Sequence, residues 1–178
     1  MTSPAFIRRN IRRLSLGIVA TVLAVGVWSD LALATTVVAL GASNTYGKGV
    51  ARSEAYPARL QALLEAKGQQ VTVINAGING DTTQGMLSRL DGVLTSDTRV
   101  VILQPGGNDA RKGVGDTTQA NVEEIKRRLA ARSIRVVMLP NRMLGPLPHQ
   151  ADGQHLTPEG YAGLAAQLLA PVLAALKN

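Results

Sequence analysis

Five residues in four separate loops have the types that acyl transfer from an ester requires. Ser43 stands in "GASNTYGKG" (41–49), directly after the apolar run "TTVVAL". Gly80 lies in "INGDTT", Asn108 in "GGND", and Asp152 and His155 in "DGQHLTPEG". Attack on a carbonyl carbon needs a nucleophile, a base, a group that orients the base, and donors aimed at the developing oxyanion. A serine hydroxyl exposed at a tight turn can attack. An aspartate three residues before a histidine can reach its Nδ1 and hold the tautomer whose Nε2 takes the serine proton. The Gly80 amide is sterically open, and the Asn108 NH2 can donate where an aspartate could only accept.

A nucleotide-binding reading of the first loop fails on spacing. A P-loop places four residues between its first glycine and the Gly-Lys pair, with Ser or Thr after the lysine. Here five residues separate Gly41 from Gly47, and Gly49 follows Lys48. Taken singly, the other residues have plainer readings. Ser43 alone is a capping serine, and Gly80 and Asn108 are turn residues. Asp81 with Gln84 three residues on reads as a capping box, and Asp109 as a cap or loop stabiliser. Lys48, Arg111 and Lys112 read as solvated loop charge, and Met86, Met138 and Met143 as core or pocket wall. His149 in "LPHQ" is the competing base, with no carboxylate near it in sequence. The catalytic reading rests on joint occurrence.

The elements that must position these loops are legible from pattern. Apolar, β-branched runs at 35–40, 71–77, 99–107 and 134–140 predict strands. Helical spacing at 55–68, 81–94, 117–133 and 157–176 predicts the intervening and final helices, the last marked by Thr157 as N-cap, Pro158 and Glu159. Continuous apolar strands alternating with helices mean a parallel sheet covered on both faces. Ligands in such sheets bind beyond the carboxyl ends of the strands. The first three candidate loops open there, and the fourth sits just ahead of the last helix.

The first 34 residues differ from the rest. "MTSPAFIRRNIRR" has four arginines and no acid, an apolar run of about one signal-peptide core follows, and "SDLALA" ends on small residues. This predicts a secretory signal over 1–34, cut after Ala34, and a periplasmic or secreted protein. The other reading is an uncleaved anchor that tethers it. Without that segment the formal charge falls from +7 to near +4, from 15 basic and 11 acidic residues. The basic residues are scattered, which argues against a nucleic-acid partner, and "KRR" at 126–128 reads as a solvated helix face. Residues 35–178 make one domain. With no cysteine there is no disulfide and no thiol nucleophile, and two separated histidines form no recognisable metal site.

In order and content, "LGASNTYG", "NAGINGDTT", "GGND" and "DGQHLTPEG" resemble the sequence blocks of the SGNH (GDSL-type) serine hydrolases. Thioesterase/lysophospholipase, arylesterase and carbohydrate-esterase branches belong to that family. The resemblance implies Ser43 as nucleophile, His155 as base and Asp152 as its orienter. It implies the Ser43 amide, the Gly80 amide and the Asn108 side chain as oxyanion donors. It also implies a three-layer α/β/α, flavodoxin-like sandwich with four to five parallel strands, a small-molecule or lipid ester or thioester as substrate, and no cofactor. Two departures stand out: Ala42 replaces the aspartate of the usual Gly-Asp-Ser, and only 141–151 stands where relatives often carry a longer insertion and a fifth strand. A carbohydrate O-acetyl esterase, with Tyr46 as the one aromatic beside Ser43, and a non-catalytic ligand-binding module are the alternatives.

Overall fold

The structure, a computed structural model, describes Met1 and residues 35–177, so the expected signal segment lies outside the described residues apart from Met1. Four parallel strands form one sheet: β1 (Thr35–Gly41), β2 (Val71–Gly77), β3 (Thr98–Leu103) and β4 (Arg135–Met138), in the spatial order β2-β1-β3-β4. The connecting helices are α1 (Ser43–Tyr46), α2 (Tyr56–Ala66), α3 (Thr83–Val93), α4 (Asn108–Arg111), α5 (Thr118–Ala130) and α6 (Pro158–Lys177).

Side chains alternate across a strand, so each strand feeds two cores. Val37 and Ala39 of β1, Val100 and Ile102 of β3, and Val71 and Val73 of β2 face α2 and α6, meeting Tyr56, Leu60, Tyr161, Leu164 and Leu168. Val38, Leu40, Val101 and Leu103 face the other way, onto Met86 and Leu90 of α3 and Val122, Ile125 and Leu129 of α5. This double burial is why the strands read as continuous apolar runs rather than as alternating ones. The three-layer expectation holds, with four strands and no fifth among the described residues.

The chain departs from the sequence reading in the extent of β3 and in the placement of Met138. β3 stops at Leu103, because Pro105 has no N–H to continue the ladder and the glycines after it begin a turn. The segment 141–151 holds a single 3₁₀ turn (Asn141–Met143) and a lone bridge between His149 and Leu156. Met138 ends the edge strand and is exposed, so it is neither core nor pocket wall; Met86 is in the core facing α3 and α5, and Met143 packs, partly buried, against the opposite core facing α2 and α6. As expected, Thr157 caps α6, its Oγ1 accepting from the Gly160 amide at 3.1 Å. "KRR" is the solvated face anticipated, paired along α5 with Glu123 and Glu124.

Ile102 sits fully buried in the central sheet. Ile102→Ala should lower unfolding free energy by about 2–5 kcal/mol. Thr72→Ala on exposed β2 backbone should stay within about 0.5 kcal/mol; urea denaturation of both variants measures the contrast.

Candidate active site

Ser43 follows the end of β1 by two residues and opens α1, a single helical turn with no side-chain cap. Among the described residues its amide therefore has neither a capping nor a main-chain partner. The Ser43 Oγ lies 2.9 Å from His155 Nε2, and His155 Nδ1 lies 2.5 Å from Asp152 Oδ2. A carboxylate only accepts, so Nδ1 carries the proton and Nε2 is left to accept from the serine hydroxyl. Asp152 Oδ1 accepts from the Gln154 amide at 2.9 Å and the His155 amide at 3.0 Å. The His155 ring first, and these two amides after it, hold the Asp152 carboxyl well below the usual carboxylate range. His155 is buried, while the Asp152 side chain is 43 % exposed.

A half-open cavity of about 230 Å³ adjoins this pair, walled by Gln104, Asn108, Arg111, Asn141, Leu144 and His149 among others. No acidic residue lines it. His149 is on the wall, but the ring bonded to Ser43 is that of His155. Asn108 begins α4 just past β3 and is buried; its Nδ2 donates to the Asp81 carbonyl at 2.8 Å, and its Oδ1 accepts from Arg111 Nη2 at 2.7 Å. One of its two amide hydrogens is thus committed and one is not.

Gly80 is one residue before that Asp81 carbonyl but does not line the cavity. Its φ of +73° is a left-handed conformation, which explains a glycine at this position. The Gly80 carbonyl accepts from Lys112 Nζ at 2.7 Å. Lys112 and Arg111 are exposed but bonded: Lys112 ties the β3 loop to the β2 loop, and Arg111 joins Asn108 to Gln154 of the histidine loop, whereas Lys48 is simply exposed.

The capping-box reading of Asp81 fails. Thr82 is the N-cap of α3, accepting from the Gly85 amide at 3.2 Å, and Asp81 pairs with Arg89 at 2.8 Å. Asp109 is a loop stabiliser as expected. Buried, it accepts from the Thr83 amide at 3.1 Å and from the Thr83 hydroxyl, which also receives Asn121 Nδ2 at 3.1 Å.

Sequence reasoning missed Asn44, Thr45 and Gln104. Asn44 Nδ2 donates to the Gln154 carbonyl at 3.0 Å, and its Oδ1 accepts from the Tyr161 hydroxyl at 3.1 Å, so it clamps the nucleophile turn to the histidine loop. Burial, chiefly, pushes the Tyr161 phenol up to about 12, so it remains a donor. Thr45 Oγ1 donates to Gln104 Oε1 at 2.8 Å beneath the cavity. The one available signal was position: three polar residues crowd the ends of two apolar strands. Among the described residues, no group of three or more His, Asp or Glu is placed to hold a metal.

Comparison with known proteins bears on the family and the fold. Residues 39–173 match the model of the GDSL-like Lipase/Acylhydrolase family. Esterase TesA of Pseudomonas aeruginosa is 31% identical over 119 residues, 66% of this chain and 59% of that protein. The Escherichia coli protein named thioesterase 1/protease 1/lysophospholipase L1 is 34% identical over 115 residues, 63% of this chain and 53% of that one. The chain thus matches little more than half the length of these curated relatives. The crystal structure of the psychrotrophic esterase EstA from Pseudoalteromonas shares the fold, with a TM-score of 0.69 at 20% identity, over 81% of this chain and 100% of that one.

Two measurements check the site as built. Asn44→Ala strips the buried Tyr161 hydroxyl of the acceptor for its proton and should cost about 1–3 kcal/mol of stability by chemical denaturation. Asp152, with its folded carboxyl depressed, stabilises the fold above the pH where the unfolded carboxyl titrates, and that contribution fades as pH falls through the folded value. The melting-temperature gap between wild type and Asp152→Asn should therefore be widest above about pH 5 and close on acidification.

Proposed function

The chain belongs to the GDSL-like lipase/acylhydrolase family, and from that premise we propose that it is an exported serine hydrolase cleaving short-chain carboxylic esters or thioesters through a Ser43 acyl-enzyme. The observation that carries this reading is the unbroken line Asp152–His155–Ser43, with contacts of 2.5 and 2.9 Å, at the edge of a cavity. A ligand-binding module has no use for a base held in one tautomer by a dedicated carboxylate.

In the proposed cycle the Ser43 hydroxyl gives its proton to His155 Nε2 as Oγ bonds to the carbonyl carbon. Asp152 stabilises the imidazolium that forms. The carbonyl electrons move onto oxygen, where the Ser43 amide and the uncommitted Asn108 N–H receive the charge; the Gly80 amide, which the family resemblance implies as a third donor, lies outside the cavity wall. Collapse expels the alcohol or thiol, which takes the proton back from His155. Water, deprotonated by His155, then attacks the acyl carbon, and collapse of that adduct breaks the bond to Oγ, which takes the proton back from His155 as the acid leaves. The residues supply all these proton transfers, so the cycle calls on no cofactor.

The cavity volume supports a small acyl group. At about 230 Å³ it is below the roughly 300–1,000 Å³ of sites that enclose drug-sized ligands. The carbohydrate alternative has less support: Tyr46 does not line the cavity, and the Arg52 guanidinium already lies 4.4 Å from its ring centroid. Export to the periplasm or medium is proposed from the arginine-rich and apolar pattern of residues 1–34.

A fluorophosphonate probe on purified protein should modify Ser43, as located by peptide mass spectrometry. Ser43→Ala should lose all triad-dependent turnover of p-nitrophenyl acetate, and Asn108→Ala should lose roughly 10²–10³ in kcat. Acetyl and butyryl esters should be turned over faster than octanoyl or longer ones. Folded protein that takes no probe and turns over none of these esters would leave the binding-module reading standing instead.

A further inference from the structure

We propose that Arg111 is a positioning residue for the reaction, fixing and polarising the Asn108 carboxamide so that one N–H faces the oxyanion. The inference rests on the reading of Asn108 as an oxyanion donor. An asparagine side chain can turn over by exchanging its oxygen and nitrogen, and only the partners decide which atom points where. The two partners here leave no choice. The Asp81 carbonyl, 2.8 Å from Nδ2, can only accept, and the Arg111 guanidinium, 2.7 Å from Oδ1, can only donate. The turned-over amide would set NH2 against guanidinium and oxygen against oxygen.

The contact with arginine has a second consequence. A hydrogen bond from a cation to the amide oxygen draws electron density from nitrogen and makes the remaining N–H a stronger donor. Arg111 is suited to this because its charge is not spent elsewhere. Among the described residues it pairs with no carboxylate, and its other bond, Nη1 to Gln154 Oε1 at 3.2 Å, goes to a neutral amide. Gln154 precedes His155, so this bond also steadies the guanidinium from the loop that carries the base. Asn108 and Arg111 are three residues apart on α4, the spacing that places two side chains on one helical face.

The test is a double-mutant cycle. Arg111→Met keeps most of the side-chain volume and removes the charge and donors. With p-nitrophenyl acetate, kcat should fall roughly 10- to 100-fold, the range for losing a hydrogen bond to a charged group, with KM within about twofold. In an Asn108→Ala background the same change should cost nothing further, since coupled residues are non-additive. Arg111→Lys, which keeps a charge and a donor, should recover part of the loss. A loss confined to KM, or an equal loss in both backgrounds, would overturn the proposal and make Arg111 a substrate contact. The Asn108 side-chain amide resonances, read in isotope-labelled asparagine samples, give a readout independent of turnover. A shift in Arg111→Met supports the positioning role even if wild type hydrolyses no ester, in which case the functional reading alone fails. Unmoved resonances sink the positioning role whatever the activity.

Discussion

The backbone of α1 lies so close to the end of the sheet that no side chain fits between them. A methyl group on Gly77 would stand 2.1 Å from the Tyr46 amide nitrogen, and one on Gly41 would stand 2.1 Å from Thr45 Oγ1. Both approaches involve atoms that cannot swing away, because one is main chain and the other is tied to Gln104. The turn from β1 into α1 is thereby pressed onto the ends of β1 and β2. Ser43 Oγ points toward the loop before α6, 2.9 Å from His155 Nε2. The rest of the site is arranged around that fixed hydroxyl.

What meets it is a set of loops joined by polar bonds as well as by the packing of Leu144 and Leu156. Asn44 reaches the Gln154 carbonyl, Gln150 donates to the Lys48 carbonyl at 2.9 Å, and the Leu156 amide contacts Asn44 Oδ1 at 3.4 Å. Across the cavity, Asn108 and Lys112 hold the β2 loop and Asp109 holds the first residue of α3. Beneath lie two apolar cores with no polar atom to spare, and no buried side-chain nitrogen or oxygen among the described residues lacks a partner. Such fully satisfied networks rigidify a site, because any displacement leaves a desolvated polar group unpaired. Rigidity matters for a reaction whose rate depends on donors already aimed at the developing charge.

The parts of this arrangement that were legible in the sequence are those whose physics is local. Doubly buried strands write themselves as unbroken apolar runs, and Thr157-Pro158 announces a helix start. Asp152 and His155 fall within one turn of chain, so their contact followed from spacing. Ser43, Gly80 and Asn108 were legible as strand-end residues, because parallel topology sends all such loops to one edge. Asn44 and Arg111 were not. Asn44 bonds a residue 110 positions away and Arg111, besides Asn108 three positions back, one 43 away, and nothing in a single sequence links those distant pairs. The single-turn helices α1 and α4 were also invisible, since four residues carry no periodicity. Asp81 misled because a capping box and an ion pair use the same carboxylate, and only the fold brings Arg89 within 2.8 Å of it.

That ion pair also bears on Ala42, which stands where the family resemblance implies an aspartate. Ala42 is 3 % exposed and joins Leu40 and Ala76 in the core facing α3 and α5, so a carboxylate at this position would need a buried partner. The chain instead brings the charge from outside the turn. Arg89 on α3 pairs with Asp81 and uses Nη2 to donate to the Gly41 carbonyl at 3.2 Å. Asp81 in turn is held by its place beside Thr82, whose amide donates to Oδ1 at 3.0 Å. The main chain entering the nucleophile is therefore tethered to the β2 loop through a cation, and the tether requires nothing of residue 42. The same Asp81 offers its carbonyl to Asn108. One residue thus links the turn that carries the hydroxyl to the amide across the cavity, and its side chain and main chain set the distance between them.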